Sequence, residues 1–126
     1  MRAWLLIMVL ASLVACETKQ PAAVLCADLT RGCHLDGQVL EVHADRMPIG
    51  LQPFVLTVHA PQARAVYAEF LMPGMEMGLN RYRLERAPGG AWRGRITLPV
   101  CVTGRRDWLL VLDVDGERHA LAFVVG

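Results

Sequence analysis

From Gly37 to the C-terminus, apolar residues recur at every second position in short runs, and turn-forming residues close most of them. Period two is what a pleated strand imposes, because successive side chains point to opposite faces. The cleanest run is Phe54-Val55-Leu56-Thr57-Val58-His59, which puts Phe54, Leu56 and Val58 on one face. Residues 38–43, 65–70, 81–85, 92–98 and 118–125 follow it more loosely, and 108–114 is a continuous apolar run, as in a deeply buried strand. Pro61, Pro88-Gly89-Gly90 and Asp115-Gly116 punctuate them, the last a two-residue hairpin signal. Seven short strands with regular turns and no helical period predict an all-β chain, an immunoglobulin-like antiparallel β-sandwich of about seven strands over residues 37–126. The antibody marker, two Cys flanking a central Trp, is absent, so the pattern speaks to architecture only.

The N-terminus reads differently. Arg2 precedes an apolar run from Leu5 to Ala15, too short to cross a bilayer but suited to a secretory signal. Leu13-Val14-Ala15-Cys16 looks like a bacterial lipobox, which makes residues 1–15 a signal peptide and Cys16 the lipidated first residue of the mature chain. Residues 16–36 then form a lipid-anchored tether ending in a Cys loop. The predicted location is the cell envelope, facing the periplasm. Glu17 stands where inner-membrane lipoproteins carry Asp, so the outer membrane is favoured. The thirteen basic residues include Arg2; without it they equal the twelve acidic ones, which leaves no field to attract nucleic acid.

Three thiols remain once Cys16 is acylated. Cys26 and Cys33 bracket a short loop, and an oxidising compartment allows a bridge between them. The alternatives are pairing elsewhere or two free thiols. Cys101 is the odd cysteine left over. If each strand crosses the sandwich and reverses, alternate loops share an end. Met47, the stretch Met72-Pro73-Gly74-Met75-Glu76-Met77-Gly78 and Cys101 then gather at one end, with His43 nearby and Cys33 starting at the other. Thioether and thiolate are soft ligands that suit Cu(I). The competing reading is a methionine plug closing the core, with Cys101 as a small buried hydrophobe. Arg105-Arg106-Asp107-Trp108 reads as a charge pair at a strand entry with Trp108 in the core. Asp113, Asp115 and Glu117 lack the spacing of a calcium loop, and no Ser-His-Asp order, HExxH or phosphate-binding motif appears. The chain does not read as an enzyme.

Residues 53–125 resemble small bacterial exported lipoproteins of the YtkA-like and FixH-like type. The likeness is carried by Met72-Pro73-Gly74-Met75-Glu76-Met77-Gly78 with Asn80-Arg81-Tyr82, then Trp92-Arg93-Gly94, Leu98-Pro99-Val100-Cys101, Gly104-Arg105 and Asp107-Trp108. It implies a compact β-sandwich linked to copper handling or cytochrome oxidase assembly. The chain departs from that pattern in having a lipobox rather than a membrane-spanning helix. It also has Gly78-Leu79-Asn80 where a His often follows the methionine turn. The functional expectation is a non-catalytic binding module that holds or passes Cu(I) through Met72, Met75, Met77 and Cys101, with a copper-handling or oxidase-assembly partner. The alternative is a structural or protein-interaction lipoprotein of the envelope with no metal.

Overall fold

The computed structural model describes residues 21–35, 37, 39–75, 78–101 and 103–126. The expected signal peptide over residues 1–15, Cys16 and Met77 therefore lie outside the described residues. The strands in chain order are β1 (Ala23–Leu25), β2 (Cys33–Leu35), β3 (Leu40–Ala44), β4 (Phe54–His59), β5 (Val66–Leu71), β6 (Arg81–Arg83), β7 (Glu85–Arg86), β8 (Ala91–Ile96), β9 (Asp107–Val114) and β10 (Glu117–Val124). They form two five-stranded sheets, β1-β10-β9-β5-β6 and β2-β3-β4-β8-β7. Every pairing is antiparallel except β1 with β10. The architecture is an all-β sandwich.

Ten described strands replace the seven of the sequence pattern, for two physical reasons. The run 81–85 breaks at Leu84, which turns inward to 1% exposure and carries the chain from one sheet to the other. The other two strands, β1 and β2, are three residues long, too short for a period to register. They also bring the segment before Gly37 into the sandwich: Cys26, Leu29 and Leu35 are core residues.

Alternation becomes burial strand by strand. In β3, Leu40, Val42 and Ala44 face inward and Glu41 and His43 outward; in β5, Val66, Ala68 and Phe70 face inward. Phe70 sits at the centre, edge-on to Phe54, Tyr82 and Phe123 at 6.1–6.3 Å between ring centroids. Tyr82 donates its hydroxyl to the Thr97 carbonyl, 2.9 Å away, linking β6 to the end of β8. Among the described residues no buried polar side-chain atom lacks a partner.

The registers gather three loops at one end. Ala44, Phe54 and Ile96 end one sheet there, and Leu71, Asp107 and Val124 end the other. Backbone hydrogen bonds tie the β3–β4 loop, the β8–β9 loop and the C-terminus together: Leu51 N–H to Leu98 C=O, Val125 N–H to Arg106 C=O and Gly126 N–H to Pro48 C=O. The opposite end carries the Asp115-Gly116 hairpin, with both residues at positive φ, and the Pro88–Gly90 turn.

The loop-parity expectation misplaces the first cysteines. The chain runs down the flank of the sandwich as β1 and reaches the three-loop end, where the Leu29 carbonyl accepts from Ala44 N–H. It then turns back as β2, so Cys33 begins near the same end as Cys101. Cys33 is nevertheless joined to Cys26 by a disulfide, with Cα atoms 5.9 Å apart, and Cys101 is the free thiol among the described residues.

Candidate soft-metal site

Met72, Pro73, Gly74 and Met75 form a tight turn closed by a hydrogen bond from Met75 N–H to the Met72 carbonyl at 3.0 Å. Pro73 presets its own φ, and Gly74 takes φ +82°, the left-handed value a type II turn demands at its third residue. The turn sends its two methionines different ways. Met72 continues the inward parity of Ala68 and Phe70 and is 2% exposed within the core. Met75 is half-buried, packed on the rim of the core, and its Sδ is in contact with Cys101 Sγ.

Cys101 enters from the β8–β9 loop. A turn from Cys101 C=O to Gly104 N–H, 3.0 Å, folds Thr103 back over the sulfur. Thr103 Oγ1 is 3.0 Å from Cys101 Sγ and 3.9 Å from Met75 Sδ. This hydroxyl is the main reason the Cys101 thiol is held below its ordinary pKa. Burial pulls the other way, while the backbone N–H groups of Thr103 and Arg105 and the Arg105 guanidinium add to the lowering. Arg105 is itself fixed. It donates to both oxygens of Asp107, with Nε–Oδ1 at 3.0 Å, and to the carbonyl of Pro73. One guanidinium thus clamps the methionine turn to the cysteine loop. Cys101, with Pro99, Val100, Gly104, Arg105 and Trp108, lines a depression of about 300 Å³.

The structure brings together only some of the sequence candidates. Met75 and Cys101 touch. Met72 shares their end of the sandwich but belongs to the core. Met77 is outside the described residues. Met47 is on the same end beside Gly126, its Cγ 3.3 Å from where a Cβ on that glycine would lie. His43 is on the outer face of its sheet, paired across the strand with Thr57, so it does not face the sulfurs. Thr103 and Arg105 escaped the sequence reading as site residues. The signal for Thr103 was present: a hydroxyl two residues past a loop cysteine can bond back to its sulfur. Among the described residues no three His, Cys, Asp or Glu side chains group closely enough to hold a metal. A metal at this end would therefore depend on thioethers beside Cys101.

No family model, curated protein or solved structure matches the chain. The likeness to YtkA-like and FixH-like lipoproteins rests on the sequence alone.

Proposed function

We propose that this chain is a non-catalytic, lipid-anchored module of the cell envelope that takes up Cu(I) on Cys101 and Met75. The observation that carries the reading is the direct contact of a thiol and a thioether, with the thiol pKa lowered chiefly by the Thr103 hydroxyl. A thiolate and a thioether form a soft donor set that favours Cu(I) over harder ions. Metal–sulfur bonds of about 2.3 Å at a tetrahedral angle need sulfurs near 3.8 Å apart, a spacing that two sulfurs in contact reach with a small side-chain adjustment. Met75 has three rotatable bonds and lies half in solvent, which makes it the partner that moves. Met77, two residues on, is the candidate third donor. Met72, as a core residue, leaves the ligand set. Cys16 carries the acyl anchor in this reading, and an envelope copper-handling or oxidase-assembly protein is the exchange partner.

The second reading, an envelope interaction protein without metal, is favoured by a different observation: Met72 is core and Cys101 is only 5% exposed. A Cu(I) competition titration against a chromophoric chelator separates the two. One-to-one binding should be lost in Met75→Leu and Cys101→Ser and kept in Met72→Leu. Absence of binding, or equal binding by all variants, would refute the copper reading.

A further inference from the structure

Strand β10 places Glu117, His119, Leu121 and Phe123 on one face. Leu121 and Phe123 are core residues, so Glu117 and His119 hold positions directed between the two sheets. Val114, paired across the hairpin with Glu117, keeps the apolar pattern that these two titratable residues break. A break of that kind is expected where a site, rather than folding, sets the residue. What the two groups face is the cleft at the end opposite the sulfur pair. It has a volume of about 260 Å³ and lies between Leu40 of one sheet and Val114 of the other. Its wall is pinned. In the β4–β5 turn the Ala60 carbonyl accepts from Trp92 Nε1 at 3.1 Å, and the Ala63 carbonyl accepts from Arg86 at 3.0 Å. From the other side Asp115 accepts from Arg64 N–H at 2.9 Å and Ala65 N–H at 2.8 Å, which fastens the turn to the β9–β10 hairpin. A pre-formed apolar cleft with a few convergent polar groups is the usual form of a small-molecule site.

Size and charge choose the ligand. An apolar cavity of about 150 Å³ is enough for benzene, so this cleft takes a ring or short alkyl body with a polar arm. The charge at its mouth is negative. Asp115 and Glu117 line it, and among the described residues no Lys or Arg does. Neither carboxylate has a described arginine within ion-pair distance, unlike Asp28, Asp45, Glu69, Asp107 and Asp113. His119 Nε2 stands 3.9 Å from Glu117 Oε1, too far for a hydrogen bond, so each keeps its capacity for a ligand. A carboxylate beside a neutral imidazole offers two acceptors to one ammonium group.

We propose that this cleft binds a small organic ammonium ion, with its apolar body against Ala60, Ala63 and Val114 and its N–H groups on Glu117 and His119. The inference is independent of the copper reading. The test uses full-length protein in phosphatidylcholine nanodiscs, with isotope-labelled alanine and valine methyls followed by NMR. It is titrated with benzylammonium, benzyl alcohol or benzoate, three bodies of one size and different charge. Benzylammonium should give saturating shifts at Ala60, Ala63 and Val114 and leave Val100, at the other end, unmoved. Benzyl alcohol should bind more weakly, and benzoate should not bind. Glu117 has a side chain 73% exposed, so Glu117→Gln leaves the fold intact; it should weaken benzylammonium about fivefold and change benzyl alcohol little. No saturating shift at the three cleft methyls overturns the proposal. Equal responses to the three compounds, or an unchanged benzylammonium affinity in Glu117→Gln, overturn it as well.

Discussion

At Cys101 the chemistry depends on what donates to the sulfur. The Thr103 hydroxyl is the largest contributor, so the thiolate absorbance of the folded protein should titrate below that of an ordinary free thiol. Thr103→Ala should move that midpoint upward; an unchanged midpoint would show that the hydroxyl does not set it. The acid side is governed by carboxyls held below their usual range: Asp107 by the Arg105 guanidinium, Asp28 by the Thr30 hydroxyl and N–H. Such groups stabilise the fold when ionised, above their unfolded value near 3.9, and the contribution is lost as pH falls through the lower folded value. Asp107→Asn should therefore lower the neutral plateau of a stability–pH curve slightly and flatten its acid limb, with the two proteins converging at low pH. Met72 tests a different quantity. Met72→Ala should cost about 2–5 kcal/mol in denaturant unfolding, as a core truncation does. Its role was legible, since Ala68, Phe70 and Met72 share one parity, but a strand read as ending at Phe70 hides it in the turn. His43 fell to the same rule in reverse: beside the inward Val42 and Ala44 it must face out.

The strands were legible where they were long and paired on both sides, as in β4, β5, β9 and β10. They were not where a third dimension decided them. β1 is a strand only because β10 offers it a parallel edge, with Ala23, Val24 and Leu25 opposite Ala120, Leu121 and Ala122. The β6–β7 crossing is likewise a contact rather than a pattern: Leu84 packs over Gly94, where a Cβ would lie 2.5 Å from Leu84 Cδ2. Gly94→Ala should destabilise the sandwich by about 1–3 kcal/mol through overpacking, despite the extended backbone there. Full stability in that variant would mean Leu84 is free to move. The bridge between β1 and β2 closes a small ring, so Cys26→Ser/Cys33→Ser should lose about 2–3 kcal/mol, measured by chemical unfolding under oxidising conditions.

Across the whole molecule, alternation of strand direction collects the chemistry-bearing residues. Three loops separated by up to half the chain meet at one end, and Arg105 fastens two of them. That much follows from counting strands, and it placed Met75 beside Cys101. The count failed for the N-terminal segment, whose descent along β10 carries no sequence mark before the sheet exists. The two ends now differ in kind. One holds the sulfur pair and six of the nine exposed large apolar side chains among the described residues. The other holds a cleft of about 260 Å³ lined by Ala60, Ala63, Val114, Glu117 and His119, with no sulfur. His34, His43 and His59 lie on a third surface, the outward side of the β2-β3-β4 sheet, and are the rival donors for a copper ion. X-ray absorption at the copper edge of the Cu(I)-loaded protein, beside its Cys101→Ser variant, decides between these surfaces. The account predicts a shell of sulfur donors in the parent protein and no copper retained by the variant. A shell of nitrogen donors, the same in both proteins, would contradict it.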